Sequence, residues 1–86
     1  MKIKDGYLLK EIAGNHVVIP VGALDFDGMI SLNETGVFLW RLLEKGCTQE
    51  EAVEKLLLEY EVSEEIAEKD VGAFLEMLKK ENILHE

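Results

Sequence analysis

Residues 28–46 read GMISLNETGVFLWRLLEKG, and this stretch decides the fold because the spacing of its apolar residues changes partway along it. Before Asn33 the period is two, which predicts a β-strand. Gly28, Ile30 and Leu32 lie on one side of that strand, and Met29 and Ser31 lie on the other. After Asn33 the period is close to 3.6, which predicts an amphipathic helix from Glu34 to Lys45. Asn33 suits the N-cap, since its side-chain oxygen can accept a backbone N–H of the first turn, so strand and helix should join with almost no linker.

Upstream of this junction the sequence predicts a β-hairpin. Residues 7–13 (YLLKEIA) and 16–21 (HVVIPV) are short and rich in β-branched or aromatic residues, and Gly14-Asn15 between them tolerates the positive φ of a tight turn. Pro20 cannot donate to a ladder, so it should lie at a strand end or direct its missing donor outward. A third strand over Phe26 to Leu32 completes an antiparallel meander.

The third strand of this meander is predicted to be an exposed edge. Asp25 and Asp27 precede it, but residues 28–32 carry no charge. Proteins usually protect a free edge with charge, proline or a bulge, or use it to accept a partner strand. The uncharged edge is therefore a candidate docking site.

Downstream the pattern predicts two more helices. Gly46 ends the first helix, Thr48 and Glu51 form a capping box for the second, and Ser63 caps a third that runs to about Glu81. On the first helix the predicted core stripe is Leu39, Leu42 and Leu43 with Thr35 or Gly36, and Phe38 and Trp40 broaden it. The predicted core positions of the second helix are Ala52, Val53, Leu56, Leu57 and Tyr60, and those of the third are Ala67, Val71, Phe74, Leu75 and Leu78. Ile83 and Leu84 should pack at the end of the chain.

The third helix carries a second, thinner row at helical spacing. Its members are Ile66, Asp70, Ala73, Met77 and Lys80. The row is either half-buried boundary packing or, with small Ala73 beside adaptable Met77, the floor of a groove for apolar side chains.

Length and composition fit one domain, residues 1–86, with strands over about 6–32 and helices over about 33–84. No apolar run approaches the ~20 residues that span a bilayer, so no membrane segment is expected. Cys47 is the only cysteine, which excludes an internal disulfide and fits a reducing cytoplasm. Beside a helix start it is either a low-pKa thiol or an ordinary loop cysteine.

The charge distribution argues against a nucleic-acid partner. The formal net charge is −9, and residues 47–86 hold twelve acids against four lysines. Such a surface repels a phosphate backbone. We also find no phosphate-binding loop, no Cys/His metal spacing and no nucleophile and base pair, so no catalytic residue, cofactor or metal is expected.

These motifs together resemble the PqqD family of small peptide chaperones, also called RiPP recognition elements. The resemblance rests on Val17 to Pro20 (VVIP), Leu32 to Gly36 (LNETG), Phe38-Leu39-Trp40, Thr48-x-x-Glu51, and Asp70-Val71 followed by Phe74-Leu75 and Leu78. It implies an α+β fold, winged helix-turn-helix-like, with a three-stranded antiparallel sheet followed by three helices.

The resemblance also implies a function without catalysis. Family members bind the leader of a ribosomally made precursor peptide and present it to a modifying enzyme, often a radical S-adenosylmethionine enzyme, as in pyrroloquinoline quinone biosynthesis. The leader adds as a strand to the third strand and lies against the third helix. By position, the peptide-binding residues are Gly28, Met29, Ile30, Ser31, Leu32, Asp70, Ala73 and Met77.

Two alternatives remain at this level. The fold alone would also suit a winged-helix nucleic-acid binder, although the acidic helices argue against it. A free third strand could also pair with itself, which would give a strand-edge-mediated dimer in place of a monomer.

Overall fold

The computed structural model describes residues 1–21 and 30–85 and shows a small α+β fold. The strands are β1 (Lys2–Ile3), β2 (Tyr7–Ile12), β3 (Asn15–Pro20), β4 (Ile30–Leu32) and β5 (Leu84–His85), and the helices are α1 (Glu34–Lys45), α2 (Gln49–Glu59) and α3 (Glu64–Lys80). The predicted class, a three-stranded antiparallel sheet followed by three helices, is confirmed. Residues 26–29 of the predicted third strand lie outside the described residues.

The main sheet has the strand order β2-β3-β4, with both pairs antiparallel. The hairpin turn between β2 and β3 lies one residue earlier than predicted. Ala13 (φ 51°) and Gly14 (φ 83°) are its two central residues, whereas Asn15 already pairs with Ile12. Two consecutive positive φ angles are typical of a type I′ turn, whose twist matches that of the flanking strands. The prediction of Gly14-Asn15 as the turn pair was therefore wrong by one position.

A second, two-stranded sheet joins the two ends of the described chain and was not predicted. Ile3 pairs with Leu84 and Lys2 with His85, and the Lys4 N–H donates to the Ile83 carbonyl at 2.8 Å. Ile83 and Leu84 are buried, as predicted. Strands of two residues carry no periodicity, so sequence reasoning could not find this pairing.

The junction between β4 and α1 has the predicted form. Asn33 has extended backbone angles, and its Oδ1 accepts the Gly36 N–H at 2.8 Å. Gly36 is buried, and a Cβ built on it would lie 3.3 Å from Leu32 Cβ. Gly36 therefore allows close packing of Leu32 on the first turn of the helix. Gly46, with φ 96°, ends the helix through its N–H to the Leu42 carbonyl.

The other helix starts also follow the sequence. Thr48 and Glu51 make both hydrogen bonds of a capping box, and Ser63 Oγ accepts the Ile66 N–H at 3.2 Å. The three helices pack around one apolar cluster with Val18 of β3. Trp40, predicted only to broaden the α1 stripe, is fully buried at its centre. The core members on the helices are Leu39, Trp40, Leu43, Ala52, Val53, Leu56, Ala67, Val71, Leu75 and Leu78, while Phe38, Leu42, Leu57, Tyr60 and Phe74 are half-buried against them.

Candidate functional site

One hydrogen bond at the end of the β2–β3 ladder determines which facing residue pairs of the sheet are hydrogen-bonded and which are not. The Val21 N–H donates to the Gly6 carbonyl at 2.7 Å, one step beyond the facing pair Tyr7 and Pro20. In an antiparallel ladder, bonded and non-bonded pairs alternate, so Tyr7 and Pro20 form a non-bonded pair. The nitrogen of Pro20 is thus turned away from β2. Pro20 is also the last residue of β3, which confirms the predicted position at a strand end.

The same alternation determines which groups β4 leaves free. Val18 and His16 direct their backbone groups away from β2, so they exchange hydrogen bonds with their β4 partners Ile30 and Leu32. Ser31 lies between these two bonded pairs, opposite Val17. Its N–H and C=O therefore point away from β3, along the open edge of the sheet.

Two of the three side chains of β4 pack on the core. Ile30 and Leu32 are half-buried and pack against the core cluster, while Ser31 is exposed. The predicted alternation between the two sides of this strand is confirmed for these three residues. Gly28 and Met29, the other two predicted strand contacts, lie outside the described residues.

The sheet has a second open edge, on β2, which differs from β4 in charge. By the same alternation of bonded and non-bonded pairs, Tyr7, Leu9 and Glu11 of β2 direct their backbone N–H and C=O groups away from β3. Lys10 and Glu11 are both exposed on this strand. Charges on an edge strand discourage pairing, so the uncharged β4 is the edge better suited to accept a further strand.

The predicted row on α3 lies on one side of that helix. Asp70 and Ala73 are exposed, and Met77 is half-buried against the core. Boundary packing therefore describes Met77 but not the other two, which are open to a partner. Among the described residues, no hydrogen bond or ion pair links this row to β4; α1 packs against both elements and sets their relative position.

Among the residues that the structure describes, a depression of about 450 Å³ lies beside α1. It is lined by His16, Glu34, Val37, Phe38, Arg41 and Tyr60. The Phe38 and Tyr60 rings meet edge to face, with centroids 5.6 Å apart. Desolvation, together with Glu34 and Glu59, raises the pKa of Tyr60 above its usual value. Its hydroxyl thus stays protonated at neutral pH and does not act as a base there.

Cys47 is not an activated thiol. Partial burial and the Glu51 carboxylate raise the pKa of this cysteine, more than the N-terminus and Lys55 lower it. The low-pKa alternative raised by its position at a helix start is therefore wrong, and the thiol form dominates at neutral pH. Within residues 1–21 and 30–85 there is no cluster of His, Cys, Asp or Glu suited to a metal ion. In the same residues, no helix is long and apolar enough to cross a membrane.

Fold and edge together define a winged helix-turn-helix-like domain with an open, uncharged strand beside its first helix. Residues 16–84 match the family Coenzyme PQQ synthesis protein D (PqqD), and the chain belongs to that family. A comparison with curated proteins gives no match.

Two solved structures share the fold over nearly all of both chains. TbiB1 in complex with the TbiA(beta) leader peptide is 29% identical, with a TM-score of 0.78, covering 99% of this chain and 95% of that chain. A lasso peptide synthetase B1 complexed with the leader peptide is 20% identical, with a TM-score of 0.77, covering 99% of this chain and 96% of that chain. At that lower identity, the second similarity supports the fold alone.

Proposed function

We propose that this protein is a non-catalytic peptide chaperone. It binds the leader of a ribosomally synthesised precursor peptide in the cytoplasm and presents the peptide to a radical S-adenosylmethionine enzyme or another peptide-modifying enzyme. The observation that carries the proposal is the open edge of β4, where Ser31 directs its N–H and C=O outward. Membership of the PqqD family and the fold shared with leader-bound TbiB1 support it.

The binding mode is strand addition at β4. A leader in extended conformation would exchange main-chain hydrogen bonds with Ser31 and continue the antiparallel sheet. Its affinity would come from these bonds, which any sequence can make, and its specificity from the side chains on alternate residues. Gly28, Met29, Ile30 and Leu32 complete the proposed strand contacts.

The α3 row would supply the second wall of the site. Ala73 is small and exposed, so a leader side chain can approach the helix backbone there. Met77 is half-buried, and its flexible thioether adapts to apolar side chains. Asp70 is exposed and would attract a lysine or arginine of the leader.

The test is a comparison of two substitutions at Ser31. Ser31→Pro removes the outward N–H but keeps the bonds between β4 and β3, because proline is tolerated where an edge donor faces solvent. Ser31→Ala removes the hydroxyl and keeps the N–H. The probes are the TbiA(beta) leader and the peptide recovered from the cells' own lysate and sequenced, each titrated into ¹⁵N-labelled protein.

We expect amide shifts around Ile30 to Leu32 and along α3, retained in Ser31→Ala and lost in Ser31→Pro. Loss of one main-chain hydrogen bond and the clash of the proline ring should weaken binding by about tenfold or more. Shifts confined to other elements, or equal binding by both variants, would refute the assigned site.

The acidic helices disfavour the nucleic-acid alternative, and the dimer alternative uses the same edge. A duplex titration at low and physiological salt tests the first, since counterion release makes such binding steeply salt-dependent. Light scattering over a concentration series tests the second. A dimer that Ser31→Pro dissociates would show that β4 pairs with a second copy.

A further inference from the structure

A groove between α2 and α3 lies outside the proposed leader site. It encloses about 480 Å³, and its apolar floor includes Val53 and Leu57. Both residues belong to or pack against the core cluster, so the floor is fixed in position. Glu50 and Glu54 of α2 and Glu64 and Glu68 of α3 form its two rims.

The rim glutamates repeat at i, i+4 on each helix, which places the Cβ atoms of each pair about 6 Å apart. Glu50 and Glu64 lie in the first turns of their helices, where a negative charge is stabilised by the helix dipole. Glu54 and Glu68 lie one turn further on, without that benefit. Like charges at i, i+4 repel.

None of these four carboxylates makes an ion pair with any other described residue. Most acids elsewhere on these helices have a lysine four residues later, as Glu51 has Lys55 and Glu65 has Lys69. Position 58, four residues after Glu54, is instead Leu58, which is 88% exposed. An apolar floor, two unpaired acidic rims and an adjoining exposed leucine match the complementary face of a basic amphipathic helix.

The groove and the leader row lie on opposite sides of α3. At 100° per residue, Glu64 and Glu68 lie about 170° around the helix from the centre of the row that contains Asp70, Ala73 and Met77. A partner in the groove therefore would not compete with a leader against the row. The two sites can be occupied together.

The geometry points to this groove as the docking site for a basic amphipathic helix of a partner protein. Its apolar face would cover Val53, Leu57 and Leu58, and its lysine or arginine side chains would pair with the two glutamate rims. Identification of that partner with the modifying enzyme rests on the proposed function. The chaperone would then hold the leader on one side of α3 and its enzyme on the other.

The test uses a synthetic amphipathic helix of leucine and lysine as the probe, with a leucine and glutamate peptide of the same pattern as the control. Each is titrated into the ¹⁵N-labelled full chain. We expect the lysine peptide alone to shift amides of Gln49 to Leu58 and Glu64 to Glu68. The affinity should fall with added salt, since exposed charges are screened.

Two charge-reversal variants separate the groove from the general acidity of the chain. Glu54→Lys with Glu68→Lys changes the rims, while Glu44→Lys with Glu76→Lys makes the same net change at exposed positions elsewhere on α1 and α3. We expect about tenfold weaker binding of the lysine peptide for the first and little change for the second. Trp40 fluorescence during urea unfolding checks that both variants fold.

Equal weakening in the two variants, or shifts spread over all acidic surfaces, would refute the groove as the docking site. Shifts centred on Ile30 to Leu32 would likewise refute it by placing the peptide on the leader edge. Leader titration is a separate readout: if leaders fail to bind while the lysine peptide still maps to the groove, the proposed function fails and the docking surface remains.

Discussion

Replacing Gly36 by alanine tests the close packing at the strand-to-helix junction. A Cβ at this position would lie 3.2 Å from Asn33 Oδ1, 3.3 Å from Leu32 Cβ and 3.4 Å from Leu32 Cδ2. Neither neighbour can retreat without cost. Asn33 Oδ1 holds the helix cap through the Gly36 N–H, and Leu32 is held in β4 by its pairing with His16.

The expected effect is a net loss of stability. Alanine gains at most about 1 kcal/mol over glycine through helix propensity. A weakened N-cap costs about 1 kcal/mol, and forcing Leu32 aside costs about 1–3 kcal/mol, as for other overpacked sites. Gly36→Ala should therefore lower the free energy of unfolding by about 1–3 kcal/mol.

Gly72→Ala is the matched control, because Gly72 lies in the interior of α3. The nearest atom to a Cβ there is Gln49 Nε2 at 3.8 Å, an ordinary van der Waals contact. The same substitution should therefore raise the free energy of unfolding by up to about 1 kcal/mol.

The assay is urea unfolding followed by the fluorescence of Trp40, the only tryptophan and a fully buried one. The two variants should shift the midpoint in opposite directions with an unchanged slope. If Gly36→Ala raised the midpoint as much as Gly72→Ala does, the packing of Leu32 on the helix would not constrain this position, and the reasoning would be wrong.

Two further stability predictions follow from the described backbone and core. Ala13→Asn should raise the free energy of unfolding by about 0.5–1 kcal/mol, because asparagine adopts the positive φ of this turn more readily than alanine; an unchanged urea midpoint would argue against the type I′ turn. Ile83→Ala should cost about 2–4 kcal/mol by leaving a cavity, whereas Leu58→Ala, at an exposed position, should change stability by less than about 0.5 kcal/mol. Similar small effects for both would mean that the C-terminal segment is not part of the core.

The helices could be predicted well because their signals are local. The bounds of α1, its Asn33 cap, the Thr48 and Glu51 capping box and the Ser63 cap all depend on residues within one turn of each other. The predicted turn of the hairpin was displaced by one residue because local preference does not decide its position. Ala13 adopts a positive φ that its own preference disfavours, and the strand register overrides that preference.

The rest of the fold depends on contacts that no local pattern encodes. β1 and β5 pair across almost the whole chain, and each has only two residues, so neither periodicity nor propensity marks them. The sequence alone does not distinguish the glutamates of the α2–α3 groove from an ordinary solvated helix face. Their arrangement as two unpaired rims above Val53 and Leu57 exists only once the helices are packed.

The candidate edge was predictable as an edge, but not in its detail. An uncharged third strand follows from composition. The outward direction of the Ser31 N–H depends instead on the alternation of bonded and non-bonded pairs, which the hydrogen bond from the Val21 N–H to the Gly6 carbonyl sets. A shift of one residue in the pairing would turn that donor inward. This explains why Ile30, whose N–H is committed to Val18, is a poorer target for testing peptide binding than Ser31.

The compact junction after β4 also bears on how the edge can bind. Ser31 lies between Ile30 and Leu32, which are held by ladder bonds on one side and by core packing on the other. Leu32 in turn rests on Gly36, and Asn33 fixes the direction of α1 through a 2.8 Å hydrogen bond. An edge held in this way is already extended before a partner arrives, so binding need not pay to order it, and the entropy lost on association falls chiefly on the peptide. If a peptide joins this edge as proposed, the LNETG segment would contribute to binding without any contact from Asn33 or Gly36, because it holds the adjacent strand in an extended conformation.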